Sequence, residues 1–190
     1  MRAYQTLPEG YRQILQIDLQ KDKKTALQVN VGGSIAMIAV FLIGHFIVPF
    51  QRVLDAGLSD YFLRLGAVLL GYVAYIVLHE LTHAAVMKAV GGGKVRFGFT
   101  GLYAFAGSET DYFDKLSYRC IALAPLVVWG VIFGVLAFLV PEDWFWVVWF
   151  LQAGNIGGAA GDVYVTARLW KLPETLLVRD TGVDMTVYDR

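Results

Sequence analysis

Four long apolar stretches dominate the sequence and restrict the folds open to it. They lie near residues 29–50, 62–90, 117–140 and 143–170, and charged residues are few within them. A helix needs about 20 apolar residues to cross the hydrocarbon core of a bilayer. Hydrophobic residues make up 57% of the chain, compared with roughly 45–50% in soluble proteins. The pattern predicts an all-α membrane protein with four transmembrane helices.

Charged residues indicate how such a chain would be oriented. Lys and Arg occur before the first stretch, between the second and third, and after the fourth, whereas the connection between the third and fourth contains none. Because positively charged loops tend to remain in the cytoplasm, both termini are expected there. We therefore predict a multi-pass cell-membrane protein with a cytoplasmic segment over 1–28, a transmembrane domain over 29–172 and a cytoplasmic tail over 173–190. The formal net charge is zero, which gives no sign of a nucleic-acid partner.

The connection over 91–116 has a different pattern from the apolar stretches around it. It opens with consecutive glycines, which end a helix, and continues with alternating apolar residues from Val95 to Phe99. Thr100-Gly101 can form the turn between two strands. The sequence therefore predicts a short β-hairpin within 94–106, inserted after the second transmembrane helix.

The second apolar stretch contains the sequence His79-Glu80-Leu81-Thr82-His83. Histidines four residues apart lie on one face of a helix, so both can bind the same zinc ion. Glu80 projects from the adjacent position, where its carboxylate can act as the general base toward a water molecule. Ionisable groups inside a membrane helix are costly and usually functional. The motif therefore indicates a catalytic zinc site.

A catalytic zinc site usually has three protein ligands and one open position. Asp162 lies within the fourth stretch at about the same depth as the two histidines, if each helical residue rises about 1.5 Å. The small residues around it would let the fourth helix approach the second closely. Asp162 is therefore the leading candidate for the third ligand. Glu109, Asp111 and Asp114 in the connection remain rivals, because loop residues can also bind zinc.

Two further polar residues lie inside apolar stretches. Asn155 precedes Asp162 by seven residues and shares its helix face, so its amide can point toward a bound substrate or an oxyanion. A polar contact between helices is the alternative. His45 is the remaining histidine, and we expect a structural role for it because it lies toward the opposite end of the bilayer from His79.

With these residues, the chain resembles a zincin peptidase family of small bacterial membrane proteins that is related to the site-2 proteases. The resemblance rests on the motif over 79–83, on Leu7-Pro8-Glu9-Gly10-Tyr11, on Ala122-Leu123-Ala124-Pro125 and on the segment from Asn155 to Asp162. It implies Zn²⁺ as the cofactor, Asp162 as a ligand from a later helix, and a hairpin that holds an extended substrate. Site-2 proteases end the corresponding segment in Asp-Gly, whereas the order here is Gly161-Asp162.

The expected function is that of an intramembrane or membrane-proximal zinc metalloprotease. His79, His83 and Asp162 would hold the metal, and Glu80 would act as the general base in peptide hydrolysis. The expected partners are the lipid bilayer and a membrane protein or peptide substrate. The alternative is a non-catalytic metal-binding or regulatory membrane protein that keeps a zincin-like fold.

Overall fold

The fold combines a bundle of helices with two small antiparallel sheets. The computed structural model describes residues 1–101 and 103–190. The helices are α1 (Lys23–Ile47), α2 (Gln51–Leu54), α3 (Leu58–Ala89), α4 (Lys115–Leu139), α5 (Phe145–Gly158) and α6 (Ala160–Trp170). The strands are β1 (Ala3–Tyr4), β2 (Arg12–Ile17), β3 (Arg96–Phe99), β4 (Ala104–Gly107), β5 (Tyr112–Asp114), β6 (Leu177–Asp180) and β7 (Met185–Asp189).

Among the described residues, three helices are long and apolar enough to cross a membrane: α1, α3 and α4. Many of their large apolar side chains are exposed, including Phe46, Leu70 and Leu139. Extended apolar surface of this kind is unfavourable in water and is typical of a membrane or partner interface. The chain is therefore associated with a membrane.

The expected continuous helix over 143–170 is wrong. The region forms α5 and α6, which are separated at Ala159 and contain 14 and 11 residues. Each is shorter than the roughly 20 residues that span a bilayer. Gly157 and Gly158 directly precede the break, and glycine is a weak helix former. Together the two helices lead the chain back from the end of α4 to β6.

The expected all-α fold is also wrong, because both terminal segments contribute strands. A five-stranded antiparallel sheet has the order β1-β5-β6-β7-β2. The C-terminal strands β6 and β7 lie at its centre, with Val178 opposite Val187. The hairpin predicted within 94–106 is present as β3 and β4, with Phe97 opposite Ala106.

The five-stranded sheet packs against the ends of the helices that carry the sequence motif. A buried apolar cluster joins Met87 of α3 and Ile121 of α4 to Leu169 of α6 and to Val178 and Val187 of the sheet. Burial of such side chains contributes about 1.5–3 kcal/mol each. The sheet is thus fixed to one end of the bundle, and this is the end at which α3 leads into the hairpin.

At the centre of the bundle, α5 packs against α1, α3 and α4. Glycines allow the closest of these approaches. A Cβ atom at Gly33 of α1 would lie 2.6 Å from the carbonyl oxygen of Gly157 in α5. Contacts of this kind bring the end of α5, and with it the start of α6, into a fixed position beside α1.

Candidate metal centre

Three side chains that can bind a metal meet where α3 faces the start of α6. His79 and His83 lie one turn apart on α3, and Asp162 lies in the first turn of α6. Their nearest ligand atoms lie within 4.8 Å of one another. The spacing of four residues places both histidines on one face of α3, and α6 begins at Ala160, so that Asp162 in its first turn faces them.

The imidazole of His83 is oriented by the backbone of α4. Its Nδ1 atom lies 2.9 Å from the carbonyl oxygen of Ile121. In a regular helix that oxygen would accept from the N–H of residue 125, but Pro125 has no N–H. The carbonyl is therefore free to accept a hydrogen bond from His83. Because a carbonyl can only accept, Nδ1 carries the proton and Nε2 presents a free lone pair.

The imidazole of His79 is oriented by a chain of side chains. The Asn155 amide nitrogen donates to the carbonyl oxygen of Leu126 at 3.1 Å, which turns the amide oxygen toward Tyr75. The Tyr75 hydroxyl donates to that oxygen at 2.9 Å. The hydroxyl oxygen is then the acceptor for Nδ1–H of His79, also at 2.9 Å. Nε2 of His79 is consequently free to bind a metal.

The resulting geometry fits a zinc ion. The two Nε2 atoms lie 3.1 Å apart. One Asp162 carboxylate oxygen lies 3.5 Å from Nε2 of His79, and the other lies 3.7 Å from Nε2 of His83. Ligands about 2.0–2.1 Å from a tetrahedral zinc ion are separated from one another by roughly 3.3–3.4 Å. Two nitrogen atoms and one carboxylate around an open position are also the donor types of a catalytic zinc site.

Glu80 lies in the same cavity as the three candidate ligands. This first cavity has a volume of about 190 Å³. The backbone N–H of Ala106 in β4 approaches the Glu80 carboxylate, so the hairpin forms one wall beside the motif. Among the described residues, β4 pairs with β3 and with no second strand, and its other edge faces Glu80 at Ala106. The arrangement places a carboxylate and the second edge of β4 next to the candidate metal ligands.

A second wall comes from the turn between β6 and β7, which the sequence interpretation placed in a polar tail. The Tyr118 hydroxyl donates to Asp180 at 2.6 Å, and the backbone N–H of Gly182 donates to the same carboxylate at 2.7 Å. Desolvation by the surrounding protein raises the pKa of Asp180, while the hydrogen bonds from Tyr118 and Gly182 oppose this effect. Gly182 has a φ of 83°, a conformation that favours glycine. The sheet thus helps to shape the site.

The other candidate residues lie elsewhere. Glu109 forms an ion pair with Arg96 of the hairpin, the Asp111 carboxylate accepts from the backbone N–H of Gly93, and Asp114 caps the start of α4. His45 accepts a hydrogen bond from the backbone of Phe50 near the far end of α1. None of the four belongs to the metal-binding group found among the described residues.

Asn155 does not line the cavity over the described part of the chain. Its side chain is completely buried, and both ends of its amide are used in contacts between helices. This placement is that of a polar contact between helices, and it links Asn155 to His79 through Tyr75. The sequence interpretation missed Tyr75, although its position four residues before His79 puts it on the same helix face.

Comparison with known families agrees with this chemistry. Residues 72–177 match a family model described as “Putative zincin peptidase”. The chain belongs to this family. The region shared with the zincin peptidase family contains the histidine motif, the hairpin, Asn155 and Asp162, so it includes the whole candidate metal centre. No curated protein and no solved structure gives a significant match to the chain.

Zinc is the metal that the family implies, and the fit of the three ligands supports it. Within the zincin peptidase family region, α3 supplies both nitrogen ligands and Glu80, while α6 supplies the carboxylate ligand. The strands β1, β2 and β7 lie outside the matched residues. The match therefore covers the helices that position the metal ligands but only part of the five-stranded sheet.

Proposed function

We propose that this protein is a zinc metallopeptidase that hydrolyses peptide bonds inside or beside the membrane. The observation that carries the proposal is the convergence of the two Nε2 atoms and the Asp162 carboxylate beside Glu80. These three groups lie close enough together for one metal ion to bind all of them. A catalytic carboxylate next to such a site favours hydrolysis over metal storage.

The residues divide the chemistry between them. A bound zinc ion would polarise the scissile carbonyl and lower the pKa of a water molecule. Glu80 would accept the proton that the attacking water loses and then deliver it to the departing amine nitrogen. Ile121 and Tyr75 would hold the imidazoles of His83 and His79 in the orientation and tautomer that bind the metal.

The location of the site supports cleavage near the cytoplasmic surface. The histidine motif lies in the last third of α3, and the five-stranded sheet covers the same end of the bundle. Lys88, Lys94 and Arg96 follow the motif closely, which favours the cytoplasmic side for this end. Both termini pair in the same sheet, so they would share that side. Water would reach the site from there.

The substrate would be a membrane protein or a peptide in an extended conformation, because a helix hides its own peptide bonds. The edge of β4 that has no partner strand among the described residues borders the cavity and could receive such a segment as an added strand, which would replace the contact between the Ala106 N–H and Glu80. A relation to the site-2 proteases would account for this use of the hairpin after the histidine motif.

The proposal is tested by comparing membrane peptides in cells that produce the wild-type protein or Glu80→Ala. We expect fragments with new termini in the wild-type membranes and accumulation of their uncut precursors in the variant, as detected by mass spectrometry. Glu142→Ala is the matched control, because Glu142 is an exposed acid that pairs with Arg52 in the loops away from the site. Identical fragments in all three strains would favour a metal-binding or regulatory role instead.

A further inference from the structure

A second cavity adjoins the candidate metal centre on the side of Asp162. It has a volume of about 240 Å³ and lies between α1, α6, the hairpin and the β6–β7 turn. Asp162 lies in the wall common to both cavities. The full set of shared lining residues is Tyr118, Gly158, Gly161, Asp162, Asp180 and Gly182. The two cavities therefore adjoin, and we call them the first and second lobes, with a candidate metal ligand at their junction.

Two glycines keep the junction between the lobes open. A Cβ atom added to Gly158 or Gly161 would meet no other atom within 4 Å, so both positions face open space. Glycines that serve helix packing behave differently, since a Cβ at Gly157 would lie 3.0 Å from the carbonyl oxygen of Gly33. The small residues next to Asp162 thus do more than let helices approach, because Gly158 and Gly161 line both lobes.

The second lobe is lined mainly by apolar groups that come from several elements. These are Ile17, Leu19, Ala26, Val29, Val165, Val183 and Met185. Its volume of about 240 Å³ exceeds the roughly 150 Å³ of an engineered cavity that binds benzene. Asp180 and Asp184 also line it, while no Lys or Arg does so among the described residues. The lobe therefore suits a large uncharged side chain and disfavours an acidic one.

We propose that the second lobe is a specificity pocket, which receives a large apolar side chain of the substrate next to the scissile bond. A substrate whose carbonyl lies at the metal can extend past Asp162, and one residue of extended chain covers about 3.3 Å. Leucine and phenylalanine would be preferred at this position over glycine, alanine, aspartate and glutamate. This inference rests on the proposed peptidase function, because it assumes that a substrate carbonyl lies at the metal centre.

The pocket is tested with small hydroxamates, which bind zinc whether or not a peptide is cleaved. The probes are acetohydroxamic acid and 3-phenylpropanohydroxamic acid, and dissociation constants are measured for the zinc-loaded full chain. We expect wild type to bind the phenyl probe about tenfold more tightly or better, since burial of an aromatic group gives at least this much. Gly161→Leu and Val29→Trp fill the lobe from opposite walls. Each should abolish the preference, and Val29→Trp, which lies in the wall of the second lobe alone, should leave the binding of acetohydroxamic acid unchanged.

Gly134→Leu is the matched control. Gly134 is also a helical glycine with no atom within 4 Å of an added Cβ, but it lies on α4 and lines neither lobe. It should keep the wild-type preference. Equal affinity of wild type for the two probes would overturn the pocket, and so would a preference that survives both filling variants. If acetohydroxamic acid does not bind zinc-loaded wild type, the metal-centred function fails instead.

Discussion

The Nε2 atoms of His79 and His83 lie 3.1 Å apart, and in the neutral tautomers that their Nδ1 contacts favour neither Nε2 has a proton to donate to the other. The proton of each ring is on Nδ1, because Ile121 and Tyr75 supply acceptors there. Two lone pairs that face each other repel unless a cation lies between them. The hydrogen bonds that surround the site therefore prepare both histidines for a metal, and these outer contacts can be tested separately from the ligands.

Tyr75→Phe removes the hydroxyl that accepts from His79 and donates to Asn155. We expect zinc affinity to fall by about 10- to 100-fold, as is typical when an outer partner of a metal ligand is lost. The measurement is zinc competition against a chromogenic chelator in detergent.

Tyr72→Phe is the matched control for Tyr75. Tyr72 lies nearly one turn earlier on α3, and its hydroxyl donates to the carbonyl oxygen of Phe150 instead of the metal site. It should keep wild-type zinc affinity. Equal losses of zinc affinity in Tyr75→Phe and Tyr72→Phe would mean that Tyr75 acts through general packing and not through its hydrogen bond to His79.

Pro125→Ala should separate helix stability from metal binding. The new backbone N–H can donate to the Ile121 carbonyl and so compete with His83 for this acceptor. We expect zinc affinity to fall by about tenfold or more, while the zinc-free protein unfolds at the same temperature as wild type or higher because alanine favours a helix. Zinc competition and thermal unfolding of the zinc-free protein test this. Unchanged zinc affinity would show that the missing N–H has no part in orienting His83.

The grouping of the three candidate metal ligands could be predicted largely from the sequence, because helical geometry is regular. The spacing of His79 and His83 places them on one face, and the uniform rise per residue brings Asp162 to a similar depth. The break between α5 and α6 at Ala159 could not be predicted in this way. Glycine is frequent in membrane helices, so Gly157 and Gly158 alone do not indicate a break.

The five-stranded sheet could not be predicted with the same ease, since it pairs the two ends of the chain. β2 and β7 are short and far apart in sequence, and the pairing of Ile17 with Met185 has no local signal. Weak signals did exist in the inward-facing Leu15 and Ile17 and in Gly182 between two short apolar runs. Missing them also meant missing Asp180 and the wall that the β6–β7 turn gives to the cavity.

Asp114→Ala should destabilise the protein in a manner that depends on pH. Asp114 caps α4 by accepting from the backbone N–H of Ser117 at 2.7 Å. Partial burial acts to raise the pKa of Asp114, but hydrogen bonds from Ser117 prevail and hold it below the ordinary value. The native protein therefore binds fewer protons here than the unfolded chain, and the stabilisation is present above the unfolded pKa and is lost as pH falls through the folded pKa.

We expect the free energy of unfolding to be about 1 kcal/mol lower in the Asp114→Ala variant than in wild type at neutral pH, as for other helix caps. The loss should shrink as the pH falls below the ordinary carboxyl pKa of about 3.9. Thermal unfolding of both proteins from neutral pH to below this pKa measures the difference in stability. Asp143→Ala is the control, because Asp143 is an exposed acid in the turn after α4. A difference from wild type that stays constant with pH would contradict the role of the ionised cap.

The most direct test of the zinc peptidase proposal compares hydrolysis by wild type and Glu80→Gln on samples whose zinc content is also measured. The probe is unfolded β-casein, with cleavage followed by mass spectrometry. We predict about one zinc ion per chain in both proteins, since Glu80 is not a ligand, and a rate about 10²- to 10⁴-fold lower in Glu80→Gln. Glu80→Gln that retains zinc and cleaves at the wild-type rate would contradict the proposed mechanism.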